Sequence, residues 1–390
     1  MKGAADRKWR TITLLLIAEL LAMGVWFSAT AVAPALASAW GLDDSGKSWL
    51  TMSVQLGFVA GALVSVIFNL ADRVPAQILF AISALAAGAA TACIAIFANR
   101  LAPAVLLRSL TGFFLAGVYP VGMKIVATWT DKDRGLGIGL LVGALTLGSA
   151  GPQLLNSLGI GEDWRALLYT ASAFAAAGGL IAAIFVQQGP YRSPAPPFRW
   201  AYAATILRER PVLLANLGYL GHMWELYAMW AWIAGYVHSS AVAFFAIAAG
   251  GPGSLIAGRL ADRMGRTKIT IGSMAISSAC ALLIGFSYGT AALAAVAILW
   301  GFAIVADSAQ FSACVTELCE REYLGTALTL QTSLGFLLTM LTIRLVPLIQ
   351  SRIGERWSFS VLALGPILGI WAMQTLRANP ASIKLAGGKR

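Results

Sequence analysis

Charge is the scarcest feature of this sequence. Of 390 residues, 12% are charged, about half the share of an ordinary globular protein, while 58% are hydrophobic. A chain so poor in charge cannot cover a water-facing surface. A bilayer, by contrast, penalises charge by roughly 2.5 to 3.5 kcal/mol per central Lys, Arg or Asp. Cysteine is nearly absent: Cys93 and Cys280 lie in apolar runs, and the spacing of Cys314 and Cys319 is neither CxxC nor a zinc set. This excludes a disulfide framework and a metal site built on cysteine, and leaves four packing residues or free thiols. Histidine is limited to His222 and His238, and there is no HExxH, no P-loop lysine motif and no GxSxG elbow. An enzyme and an ATP-driven pump are therefore disfavoured, and no metal or cofactor is implied.

The long apolar runs remain. A helix needs about 20 apolar residues to cross the hydrocarbon core. Dividing the chain at charged or turn-rich breaks predicts twelve spans, at 11–33, 49–70, 76–98, 102–127, 135–158, 165–187, 212–236, 240–260, 268–288, 291–313, 324–348 and 358–377. The basic Lys2, Arg7, Lys8 and Arg10 ahead of a run ending near Ala35-Leu36-Ala37 imitate a secretory signal. The run from Thr11 to Ala33 is too long for one, carries Glu19, and is followed at once by further spans, so it reads as span 1.

The net charge of +11 raises the question of a nucleic-acid partner, and the positions of the 28 basic residues answer it. With both termini in the cytoplasm, 20 Lys/Arg fall inside, five (Lys47, Arg100, Arg165, Arg352, Arg356) fall outside, and Arg108, Lys124 and Arg344 lie within spans. The positive-inside rule sets this orientation, and the charge belongs with anionic headgroups rather than nucleic acid. Lys124 and Arg344, near span ends, are expected to snorkel to headgroups.

The proline-rich stretch from Gln187 to Pro211 falls at the middle of the chain. It predicts an N-terminal six-helix bundle at 1–188, a cytoplasmic linker at 189–210 and a C-terminal six-helix bundle at 211–390. The halves repeat one another in order. Glu19-Leu-Leu-Ala-Met-Gly-Val-Trp26 matches Glu225-Leu-Tyr-Ala-Met-Trp-Ala-Trp232, and Leu70-Ala-Asp-Arg73 recurs as Leu260-Ala-Asp-Arg263. Gly112-Phe113 recurs as Gly301-Phe302, and Ala144-Leu-Thr-Leu147 as Ala327-Leu-Thr-Leu330.

After span 8 stands Gly258-Arg-Leu260-Ala-Asp262-Arg263-Met-Gly265-Arg266, which resembles the G-x-L-x-D-R-x-G-R signature of the major facilitator superfamily at its characteristic place. The copy after span 2 keeps Leu70, Asp72 and Arg73 but has Phe68, Pro75 and Ala76 where the glycines and final basic residue belong. Arg108-Ser-Leu-Thr-Gly112 resembles the R-x-x-x-G element of span 4. Span 5, with Gly139, Gly143, Gly148, Gly151 and Pro152, resembles the glycine-rich antiporter motif, although packing through small residues explains most of it. The resemblance covers the whole chain and implies an all-α polytopic membrane protein of twelve transmembrane helices in two pseudo-symmetric six-helix bundles. It further implies a gating role for Asp72, Arg73, Arg134, Asp262, Arg263 and Arg266. Physically, Asp262 suits a helix N-terminus and Arg263 or Arg266 a carboxylate across the loop.

Ionisable residues deep in spans mark ion or substrate pathways. The candidates for proton coupling are Glu225, His222, Glu19, Asp307 and Arg108. His222 and Glu225, three residues apart on one helix, share a face and are expected to exchange or share a proton. Glu19 lies about 12 Å from one end of span 1 and Arg108 about 10 Å into span 4. The resemblance places both spans at the central cavity, so the two are expected to pair directly or through water, or Arg108 to hold an anionic substrate. Trp26, Trp224, Tyr227, Tyr119, Gln310 and Gln331 are the substrate-binding candidates, the aromatics by stacking or cation–π contact.

The leading reading is a proton-coupled secondary carrier of a small molecule, a monomer in the bilayer of a bacterial inner membrane, leaning to efflux of lipophilic or cationic compounds. Uptake of a small organic or inorganic anion is the alternative, and a transport-incompetent sensor is the alternative of another class.

Overall fold

The structure, a computed structural model, describes residues 2–130, 134–191 and 199–389. Lys132 and the linker residues 192–198 lie outside the described residues, as does the side chain of Arg134. Among the described residues all regular structure is helical. The chain divides into two compact units, Met1–Pro194 and Ala195–Arg390.

The first unit contains α1 (Lys2–Ala31), α2 (Asp44–Ile67), α3 (Ala76–Phe97), α4 (Leu101–Leu115), α5 (Tyr119–Trp129), α6 (Arg134–Ser157) and α7 (Trp164–Phe185). Its starts are chemically marked. The Asp43 carboxylate accepts from the Gly46 amide at 2.8 Å at the head of α2, and Asp163 accepts from the Arg165 amide at the head of α7. The second unit contains α8 (Arg210–Val237), α9 (Ser240–Ala248), α10 (Gly250–Met264), α11 (Arg266–Leu283), α12 (Ala292–Ala306), α13 (Ser308–Leu318), α14 (Leu324–Ile353) and α15 (Leu364–Ala378).

Among the described residues eleven helices are long and apolar enough to span a membrane, with α4–α5, α9–α10 and α12–α13 each counting as one span across a short break. The twelfth expected span forms α8, which at 28 residues is long enough but falls outside the eleven. Asn216, His222, Glu225 and a run of Trp and Tyr make it more polar than the rest. Side chains such as Phe97 (69% exposed), Ile184 (65%) and Leu106 (64%) point outward from their units. Such faces suit hydrocarbon and would be a liability in water.

The breaks have local causes. Between α4 and α5 the chain turns at Ala116–Val118, because Pro120 has no N–H to donate and its ring clashes with the carbonyl four residues earlier. Pro252 does the same at the α9–α10 joint. At α12–α13 no proline intervenes, and Asp307 itself is the joint. Counting from the Gly-Phe repeat, Asp307 corresponds to Val118, so the two related spans break at the same place.

The repeated Gly-Phe pairs also explain how these spans pack. A Cβ at Gly112 would lie 2.0 Å from the Val54 carbonyl oxygen on α2, and one at Gly301 would lie 1.6 Å from the Ala246 carbonyl oxygen on α9. In each unit, backbone touches backbone at a position only glycine can fill.

Candidate functional site

In the second unit, ionisable side chains gather at the break between α12 and α13. Asp307 occupies the N-cap of α13 but its side chain does not cap the helix. Its Oδ1 lies 2.8 Å from His222 Nδ1 on α8, with both side chains at most 1% exposed. The contact has the distance of an ion pair without the alignment of a good hydrogen bond. Tyr219 and Phe311 flank the imidazole, with ring centroids 6.1 and 5.6 Å away. The N-terminus of α13 and the imidazole both answer a charge at Asp307.

Glu225 faces different helices. Ser277 Oγ on α11 lies 2.7 Å from both carboxylate oxygens, and Trp300 Nε1 on α12 donates to Oε2 at 3.1 Å. The same Trp300 nitrogen is 3.1 Å from Ser277 Oγ, so the three groups form a closed triangle with no exposure to solvent beyond 1%. This corrects the expected His222–Glu225 partnership: shared helix face did not decide it, because α12–α13 and α11 supply closer partners to each.

In the first unit, Glu19 on α1 is fully buried and, among the described residues, neither of its carboxyl oxygens receives a hydrogen bond. It borders the start of α5, where a Cβ on Gly122 would come within 3.0 Å of Oε2, and Tyr119 lies within its electrostatic reach. Arg108 does not meet it. Arg108 Nε donates to the Leu50 carbonyl at 3.0 Å, Nη1 to the Val25 carbonyl at 2.7 Å, and Nη2 to the Trp26 carbonyl. The expected Glu19–Arg108 pair is thus replaced by a guanidinium that ties α4 to the backbones of α1 and α2.

At the loop between α10 and α11, Gly265 takes a left-handed φ of +103°, which the signature glycine permits. Arg266 then grips Glu317 at the end of α13, Nε to Oε2 at 2.9 Å and Nη2 to Oε1 at 2.6 Å, while Nη1 donates to Gln310 Oε1 at 2.9 Å. Asp262 ends α10 rather than starting a helix, and its Oδ1 is 3.5 Å from Arg266 Nη1. Arg263 is exposed. The first-unit copy turns differently, at Asn69 with φ +48° and at Pro75. There Asp72 pairs with Lys124, which also donates to the Ala71 carbonyl. Lys124 therefore reaches this turn instead of snorkelling, and the charge signs are reversed between copies: acid on the turn and base on the helix in one, base on the turn and acid on the helix in the other. Arg73 is exposed.

The structure gives several substrate-binding candidates protein partners. Gln310 is bound to Arg266, and Gln331 donates to Asn216 Oδ1 at 2.9 Å while accepting from Ser312 at 3.1 Å. Trp224 Nε1 donates to the Val361 carbonyl at 3.1 Å. Tyr227 packs against Trp230 and Phe336, and Trp26 against Phe58. Gln310 Oε1 and both ends of the Gln331 amide are thus engaged in cross-helix bonds. Ser277, Trp300 and Glu317 escaped the sequence reading. Each looks ordinary alone, and only a helix packed opposite gives it a carboxylate or guanidinium to meet.

A multi-span helical membrane protein, with carboxylates buried in its spans and a signature loop bonded to a neighbouring helix, is the class this geometry defines. The chain belongs to the major facilitator superfamily, whose family model matches residues 14–249. It is a transporter family. The fold is similar to the crystal structure of a bacterial homolog to the human lysosomal transporter Spinster, in an inward-facing and unoccupied conformation, with a TM-score of 0.69, 14% identity and 97% of each chain covered. No curated protein matches the chain.

Proposed function

We propose that this transporter is a proton-coupled secondary carrier that moves a small molecule by alternating access of two six-helix halves. In this reading it works as a monomer in a bacterial inner membrane with both termini cytoplasmic. The observation that carries the reading is the His222–Asp307 contact, an imidazole 2.8 Å from a carboxylate with neither exposed. A buried ionisable pair on two spans is costly, and such groups within a membrane mark ion or substrate pathways. Glu225 and Glu19 add two further buried acids. The excess of buried acid, with Arg108 committed to backbone carbonyls, favours export of lipophilic or cationic compounds over uptake of an anion. Asp72 with Lys124, and Arg266 with Glu317, serve in this scheme as the gating contacts.

Proteoliposomes carrying an internal pH dye and an imposed pH gradient test it, with ethidium as the lipophilic cation. Wild type is expected to move protons against ethidium, and Asp307→Asn, inserted at wild-type levels, to lose that coupled movement. Coupled flux undiminished in Asp307→Asn would refute the coupling assignment. Absence of ethidium-linked proton movement in wild type would refute the export reading.

A further inference from the structure

The Glu225 triangle carries a sharper statement than the presence of a buried acid. Its two partners differ in chemistry. A serine hydroxyl donates or accepts, whereas an indole N–H only donates. When Glu225 is ionised, Ser277 turns its hydrogen to the carboxylate and Trp300 donates to Oε2. When Glu225 carries a proton, that O–H can donate to Ser277 Oγ, and Ser277 must turn its own hydrogen away. Trp300 keeps donating in both states.

We propose that Trp300 and Ser277 are the positioning residues of a protonation site at Glu225, separate from the His222–Asp307 pair, with Trp300 holding the carboxyl and Ser277 following its protonation state. This rests on the proton-coupled reading above. Three features of the geometry support it. Both donors come from helices other than that of Glu225, Ser277 from α11 and Trp300 from α12, so the site exists only while these three helices stay packed. The indole ring is itself fixed, edge-on to Phe359 at 5.4 Å. The triangle is closed by the Trp300–Ser277 contact, so the hydroxyl has an N–H behind it whichever way it turns. Among the described residues Asp307 and the Cys280 thiol of α11 lie within electrostatic reach of Glu225, and His222 stands one turn before it on α8. The α14 and α15 helices also pack on α8; their basic residues are Arg344, Arg352 and Arg377, the last two in final turns.

Infrared difference spectra of the purified full-length protein across a pH titration read this site without any substrate. Wild type is expected to show a protonated-carboxyl band that Glu225→Gln removes and Asp307→Asn leaves in place. In Trp300→Phe and Ser277→Ala that band is expected to move to higher frequency, as a less hydrogen-bonded carbonyl does, and to disappear only at higher pH. Ser277→Thr, which keeps the hydroxyl, is expected to restore both. A band assigned to Glu225 that neither Trp300→Phe nor Ser277→Ala shifts would overturn the positioning roles while leaving Glu225 as a protonation site. The absence of any band lost in Glu225→Gln would overturn the site itself, and loss of coupled flux in Asp307→Asn would stand apart from both results.

Discussion

The backbone contact at Gly112 offers the most direct check on the packing. In Gly112→Ala the new Cβ would sit 2.0 Å from the Val54 carbonyl oxygen, against 3.4 Å for ordinary contact, so α4 and α2 must separate by about 1.4 Å. The obstacle is backbone and cannot rotate away. Overpacking of this kind costs typically about 1–3 kcal/mol and more where backbone must move. Alanine regains roughly 0.5–1 kcal/mol of helix propensity. The separation also pulls Arg108, one turn away on α4, from the Leu50 carbonyl on α2, a charged hydrogen bond worth roughly 1.5–3 kcal/mol. A net loss of about 1.5–5.5 kcal/mol follows from these contributions together. Gly272 on α11 is the control, since a Cβ there meets nothing within 4 Å. Gly272→Ala should therefore hold or gain stability. Heating the detergent-solubilised variants and measuring the surviving monodisperse fraction by size-exclusion chromatography compares them directly. If Gly112→Ala survives to the same temperature as Gly272→Ala, the close approach of α2 and α4 is wrong.

Arg108→Lys replaces three directed donors with one point charge, and thermal unfolding in the same assay is expected to show a loss of roughly 3 kcal/mol. Arg266→Lys cannot form the bidentate contact with Glu317; hydrogen exchange at residues 262–268 should rise several-fold, and Glu317→Gln should give the same pattern. The Tyr288 phenol donates to Glu355 Oε2 at 2.7 Å, and that hydrogen bond raises its pKa above the usual tyrosine value. Because the folded value is the higher one, this contribution to stability is complete below about pH 10 and is lost as pH rises through the folded value. An alkaline unfolding titration should therefore lose a step in Tyr288→Phe.

How far the sequence reached depended on the range of the interaction. Hydropathy is local, so the spans were legible from Thr11 onward, and the Gly258-to-Arg266 signature was legible because its glycine, acid and arginines lie within nine residues. The breaks at Pro120 and Pro252 also have a local cause, a missing N–H, although spans 102–127 and 240–260 were read as continuous. Partnership was not local. His222 and Glu225 share a helix face, and helical spacing pairs them, yet Asp307 claims one and Ser277 with Trp300 the other. Lys124 read as a snorkelling residue until the turn at Asp72 came beside it, and Arg108 read as a partner for Glu19 until three backbone carbonyls of α1 and α2 engaged its guanidinium. The sequence by itself determined where this chain leaves water, because transfer free energy sums residue by residue. Which buried charge meets which partner was decided only by tertiary structure, because a hydrogen bond is satisfied within about 3 Å and that distance is set by helices far apart in the chain.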